Sequence, residues 1–387
     1  MTKFINNRIE KMAPSATLAL NARAAEMKAA GISVVNLSGG DPDFKTPKPI
    51  CDEAYKWMLE GLTHYVPGKG HIDLRKAVSE KFKNENGIEL SPDEILITPG
   101  GKMALYLAIN ALMADGDEVL IPTPAWVSYE PMCVAAGAKP EFVHLDAKNK
   151  YKLTLDKLER HYTEKTRMLI INYPNNPTGR VLEEDEADAI EQFLIAHENV
   201  LLLSDEMYEK LVFDGRKHIS LGARKTIADR VITENGFSKC SAMTGWRLGY
   251  IGAKAELIAP MAKLYTQTAS CVPGFIQKAG VVALGCTEET EYMRQRYEAR
   301  RDMFIGELNK IKGVEAMVPE GAFYAWVKFD TELTSAEFAE ELLVKGGVCG
   351  VPASAFGENK YPYLRFSMAS SDEDLAEAAK RIKAFFK

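Results

Sequence analysis

The sequence predicts an α/β protein, with a large, mostly parallel sheet held between helices and joined to a smaller α+β domain. Three observations lead there. Between residues 91 and 253, short apolar runs alternate with amphipathic stretches, the pattern of strands and helices succeeding one another in a layered parallel sheet. Several runs, such as Leu201-Leu202-Leu203, are unbroken, as expected of strands covered on both faces. After Gly274 the texture changes to a long charged helical stretch and then to fewer, shorter strands, which marks a second, smaller body.

In chain order, residues 1–45 form an arm expected to pack with the small domain, residues 46–285 the large domain, and residues 286–387 the C-terminal part of the small domain. Strands are predicted at 94–98, 118–122, 141–145, 167–172, 200–205, 231–237 and 248–253. Helical patterns lie between them, for instance at 102–113 and 183–197. The connecting helix spans 288 to about 311. A strand at 323–329, a helix at 335–345, a strand at 361–368 and a helix from Asp372 complete the chain.

A chain of 387 residues exceeds what a single core comfortably holds. Its 46% hydrophobic and 26% charged residues are those of a soluble globular protein. The net charge of -6, with no dense Lys or Arg run, speaks against a nucleic-acid surface. Cysteines 51, 133, 240, 271, 286 and 349 form no Cys-x-x-Cys pair, so reduced thiols are expected rather than disulfides or zinc. The histidines show no metal-ligand spacing, and no metal is expected. The opening Met1-Thr2-Lys3-Phe4-Ile5-Asn6-Asn7-Arg8 lacks the apolar core of a signal peptide, and no run of about 18 apolar residues exists. A cytoplasmic protein with no membrane span is the expectation.

Ligand-binding groups of such sheets collect beyond the carboxyl ends of the strands. After 94–98 comes Pro99-Gly100-Gly101-Lys102 and then a helix. Free N–H groups and the helix dipole make this either a phosphate cradle or a plain strand-to-helix turn. After 200–204 comes Asp205-Glu206-Met207-Tyr208; Asp205 is either a cap or an acid facing a pyridine nitrogen, with Tyr208 on the same side. Tyr173-Pro174-Asn175-Asn176-Pro177-Thr178-Gly179 is a tight loop in which Asn176 offers a side-chain hydrogen bond. Lys239, in Gly236-Phe237-Ser238-Lys239, precedes Arg247 by eight positions within Gly245-Trp246-Arg247-Leu248-Gly249. An amine that bonds a carbonyl cofactor needs a neighbour for that cofactor's anionic end, and a guanidinium fork matches phosphate. Cys240 reads as a small buried thiol. Arg365 sits mid-strand, alternating away from Leu364 and Phe366, on an exposed face or against a substrate carboxylate. Trp126 is either core or a stacking surface for a flat cofactor.

Taken together, these stretches resemble the fold-type I, pyridoxal-phosphate-dependent class I aminotransferases, and within them the bacterial aspartate aminotransferase branch. The likeness covers nearly the whole chain. It includes Pro14-Ser15-Ala16-Thr17, Gly40-Asp41-Pro42-Asp43-Phe44, Tyr65 with Gly70 and Leu74-Arg75, Gly100-Gly101-Lys102, Asn175-Asn176-Pro177-Thr178-Gly179, Asp205-Glu206-Met207-Tyr208, the 239–249 segment, Gly321-Ala322-Phe323-Tyr324 and Arg365. The resemblance implies pyridoxal 5'-phosphate as cofactor. Lys239 would bond it covalently and, once freed, carry the proton between the substrate α-carbon and the cofactor. Arg247, Gly100, Gly101 and Ser238 would anchor the phosphate, joined by Tyr65 from the other subunit of a homodimer whose active site is shared. Asp205 would pair with the ring nitrogen, Tyr208 and Asn176 with the phenolic oxygen, and Trp126 with the ring face. Arg365 would clamp the substrate α-carboxylate, and Gly40 would let the backbone close over it. Thr17 and Lys102 match positions that recognise a distal carboxylate in some relatives.

The expected function is therefore ping-pong amino transfer between an L-amino acid and a 2-oxo acid, aspartate or glutamate first. Aromatic or other neutral amino acids are the alternative substrates, and β-elimination by a carbon–sulfur lyase is the alternative reaction. Two positions depart from the family pattern: Gly236, where some relatives have serine, and Asp41, where many have glutamate.

Overall fold

The computed structural model describes residues 6–10, 12, 16–358 and 361–386, the side chains of 16–18 excepted. Among these residues, seven strands form one sheet in the spatial order Ile95–Thr98, Gly249–Gly252, Val231–Gly236, Leu201–Asp205, Thr166–Asn172, Glu118–Thr123, Lys139–His144. All run parallel except Gly249–Gly252, which is antiparallel to both neighbours. Its link from Val231–Gly236 holds only the turn Thr244–Trp246, and a parallel return needs a longer crossover.

The unbroken apolar runs serve two cores at once. Met168, Ile170 and Leu203 face one side, under the helices Gly101–Leu112, Tyr129–Ala136 and Ala255–Thr268. Leu169, Ile171 and Leu202 face the other, under Leu155–His161 and Glu184–Ala196. Period-2 alternation thus sends successive leucines into opposite layers, which is why neither face of the sequence run is polar.

The strand expected at 141–145 starts earlier, as Lys139–His144, and includes Pro140. Proline has no N–H to give, but this is the last strand of the sheet, and an edge tolerates the missing donor.

The second sheet is antiparallel, in the order Val351–Pro352, Tyr363–Ser367, Tyr324–Phe329, Val314–Met317. Its apolar face, including Leu364 and Phe366, packs beneath Thr287–Leu308, Ser335–Gly346 and Asp372–Phe385. Thr334 and Ser371 fix the starts of the last two helices by accepting from the backbone N–H of Glu337 and Asp374. The pair Val35–Asn36 and Val348–Cys349 is parallel and joins the N-terminal segment to this body. Neither this pair nor Val314–Met317 is foreseen from the sequence; both are too short for periodicity to register. No helix among the described residues is long and apolar enough to cross a membrane.

Candidate active site

The carboxyl ends of the large-sheet strands, the N-terminal segment and the second sheet meet at one cavity of about 780 Å³. Gly101, Lys102, Trp126, Asn176, Asp205, Tyr208, Ser238, Lys239 and Arg247 line it from the large body; Gly40, Tyr324 and Arg365 close it from the other.

Lys239 follows the strand Val231–Gly236 and is turned into the cavity. Its Nζ donates to the Gly40 carbonyl at 2.5 Å. Burial brings its pKa down to about 8; Asp41 opposes the shift, while Arg365 and Arg247 add to it. The amine is thus mostly protonated at neutral pH but yields its proton far more readily than an ordinary lysine. Gly40 must be glycine for a local reason: a Cβ there would stand 2.5 Å from the Tyr324 hydroxyl.

Asp205 ends the strand Leu201–Asp205. Its Oδ2 accepts from the Tyr129 hydroxyl at 2.6 Å and its Oδ1 from the Met207 N–H at 3.2 Å. Burial raises its pKa, and these donors oppose the shift. Behind it, Glu206 accepts from Ser204 (2.9 Å) and Ser220 (2.6 Å) and faces His218 Nε2 at 2.8 Å, while Glu209 pairs with Lys81.

At the N-terminus of the helix Gly101–Leu112, Gly100 has φ +82°, a conformation glycine adopts freely. A Cβ on Gly100 would fall 2.5 Å from Arg247 Nη2, so the guanidinium lies directly against this turn. Arg247 itself has φ +55°, and its Nη1 donates to the Thr244 carbonyl at 2.7 Å. Lys102 Nζ stands 4.9 Å from the centre of the Trp126 ring. Its pKa is lowered by burial and then by Arg247.

Arg365, 3% exposed, points from the second sheet into the cavity. It donates to Asn176 Oδ1 (3.0 Å) and the Ser38 carbonyl (2.7 Å), and its guanidinium lies over the Tyr324 and Phe356 rings. Its Nε has no partner, and no carboxylate pairs with it among the described residues. A buried cation held only by neutral acceptors is a site for an anion. Tyr208 meets Tyr324, hydroxyl to hydroxyl, at 2.9 Å.

Two predicted residues stand apart. Tyr65 is 90% exposed and is not among the residues lining the cavity. Thr17 lies in the helix Ala16–Ala29, with its side chain outside the described residues. Three residues were not in the predicted set: Tyr129, Tyr324 and Glu234. Tyr129 and Tyr324 give no sign in isolation, because buried tyrosines are common in cores. Glu234 does give one, as an acid inside the otherwise buried strand Val231–Gly236. Cys240 is a half-buried thiol rather than the fully buried one expected, with Sγ toward the Gly236 carbonyl at 3.6 Å and its pKa raised by desolvation.

Comparison with known proteins places nearly the whole chain beside well-defined relatives. The family model for aminotransferase class I and II matches residues 32–382. An aspartate aminotransferase of Pyrococcus abyssi is 41% identical over 384 residues, 98% of this chain and 97% of the relative. An aromatic-amino-acid aminotransferase of Thermococcus litoralis is 41% identical over 359 residues, 92% of each. The solved structure of the Thermus thermophilus aspartate aminotransferase with maleate superposes with a TM-score of 0.94 at 35% identity, over 99% of this chain and 100% of that one.

Proposed function

This chain belongs to the class I and II aminotransferases, and from that premise we propose that it moves an amino group between aspartate or glutamate and their 2-oxo acids by ping-pong exchange. The observation that carries this reading is the meeting of Lys239 and Arg365 in one cavity: a half-buried amine with a pKa near 8 beside a buried guanidinium that has no carboxylate partner among the described residues.

The residues present fit pyridoxal 5'-phosphate. The turn at Gly100 against Arg247 is a cradle that any Cβ would fill, and helix N–H groups with a guanidinium suit a phosphate. Arg247, Gly100, Gly101 and Ser238 would hold that phosphate, Asp205 the ring nitrogen, Asn176 and Tyr208 the phenolic oxygen, and Trp126 the ring face. Bound there, the cofactor would supply an electron-accepting ring for charge developing at the substrate α-carbon.

The remaining work falls to the chain. Lys239, freed as a neutral amine, takes the α-proton and would pass it to the cofactor side in one half-reaction, carrying a proton back to the α-carbon in the other; a pKa near 8 suits both directions. Arg365 holds the α-carboxylate and so fixes the α-carbon relative to that amine. Gly40 brings backbone and the Tyr324 hydroxyl over the substrate. Lys102 supplies positive charge for a second carboxylate, with Thr17 as its companion. The exposure of Tyr65 suits a role in a homodimer, reaching a partner's phosphate. A cytoplasmic setting accords with these small, charged substrates.

Aromatic amino acids form a second reading, favoured by Met12, Leu105, Val127 and Val134 on the cavity wall. The test is the half-reaction of the purified holoenzyme with single amino acids, followed by absorbance. Fastest conversion by aspartate or glutamate supports the first reading, and conversion by aromatic amino acids alone the second. Steady oxo-acid release without amination of the cofactor would overturn amino transfer itself.

A further inference from the structure

We propose that Glu234 is a positioning residue for the cofactor's ring nitrogen: as a neutral acid it donates to Asp205, leaving that aspartate as the single ionised partner of the ring. This rests on the reading that the cavity takes pyridoxal phosphate with Asp205 at the ring nitrogen.

Asp205 and Glu234 are paired residues on adjoining parallel strands, and both side chains line the cavity. Glu234 is fully buried, and among the described residues neither of its carboxyl oxygens meets a donor. The N-terminus of the helix Gly101–Leu112 is close, yet none of its N–H groups reaches the carboxyl. The Glu234 side chain is also confined, since a Cβ on Gly101 would fall 1.9 Å from Glu234 Oε1.

An ionised carboxylate only accepts hydrogen bonds. Glu234 in that form would be a buried charge with no compensation, beside Asp205, Glu206 and Glu209. Asp205 is its cross-strand neighbour on the cavity wall, and contact between the two carboxyls becomes a hydrogen bond only when one of the two acids carries a proton. Asp205 already accepts from Tyr129 and from the Met207 N–H, which favour its ionised form. The proton therefore belongs on Glu234. Burial and the Asp205 charge raise its pKa well above the usual carboxylate range. The pair then presents one negative charge to the cavity, with Asp205 held by three donors. Tyr129 and Tyr250 feel the Glu234 charge, and Tyr208, Lys102, Lys239 and Arg247 line the same cavity.

The experiment is titration of the apoprotein with pyridoxal phosphate and with its deaza analogue, in which C–H replaces the ring nitrogen. Wild type should prefer pyridoxal phosphate. E234L should lose about tenfold or more of that preference, the worth of a hydrogen bond to a charged group. E234Q, which keeps a neutral donor, should retain it. E234Q should also lack the alkaline step in preference that wild type shows as the Glu234 proton leaves, because every other titratable group of the cavity is unchanged in it.

Undiminished preference in E234L overturns the proposal. So does an E234Q profile with the wild-type alkaline step intact, which decides the matter if E234L does not fold. A wild-type apoprotein indifferent to the ring nitrogen would instead sink the Asp205 reading and this proposal with it.

Discussion

Lys239 Nζ and the Gly40 carbonyl oxygen lie 2.5 Å apart although 199 positions separate them in the chain. The bond ties the amine at the end of the large sheet to the N-terminal segment, which is itself paired to the second body through Val35–Val348. Like the bonds from Arg365 to Asn176 and between the Tyr208 and Tyr324 hydroxyls, it therefore crosses the cavity in which the chemistry is proposed.

This burial gives Lys239 a pH signature in the cofactor-free protein. Its amine is held near 8 when folded against 10.5 as the ordinary value. Between those two pH values the unfolded chain binds more protons, so stability rises with pH; below 8 the full penalty, on the order of 3 kcal/mol, is present. Lys239→Met should abolish activity yet stabilise the apoprotein at pH 7 by about 2 kcal/mol, after allowing for the lost hydrogen bond to Gly40. The gap should close towards pH 10.5. Urea denaturation across pH measures it, and equal stability at pH 7 would contradict the burial argument.

Arg365→Ala should raise KM for every amino acid by roughly a hundredfold, the effect of removing a buried charged hydrogen-bond partner. Cofactor absorbance should be unchanged. Steady-state kinetics over several substrates decides this, and an unaltered KM would exclude Arg365 from carboxylate binding.

Lys102→Ala should weaken aspartate and glutamate by about tenfold more than neutral amino acids, because only the acidic substrates lose an opposite charge. The ratio of kcat/KM values is the measurement. Equal losses would make Lys102 a packing partner of Trp126 alone.

Arg180 and Glu186 form a buried, bidentate pair at 2.8 and 2.7 Å, with Glu186 also accepting from the Leu153 N–H at 2.8 Å. Arg180→Leu should cost about 3–5 kcal/mol by stranding the carboxylate. Arg180→Leu with Glu186→Leu should recover much of that in thermal or urea melts. A double variant no better than the single would refute the stranded-charge account.

By itself the sequence determined the layered fold and named most of the residues that line the candidate cavity. Apolar runs of strand length, turn residues after them and chemically capable side chains at those turns are local patterns, so Gly100, Asn176, Asp205 and Lys239 are legible one stretch at a time. The family resemblance supplied their expected roles. The tertiary structure decided what depends on groups distant in sequence. The antiparallel run of Gly249–Gly252, the edge strand with Pro140 and the pairing of Val35–Asn36 with Val348–Cys349 are matters of which neighbour a strand finds. Arg365 gained meaning only when Asn176 and Ser38 proved to be its partners. Glu234 gained it only when Asp205 proved to lie opposite. Burial and the identity of the nearest charge fix a side chain's protonation and its need for a ligand, and both are set by packing across the fold rather than by spacing along the chain.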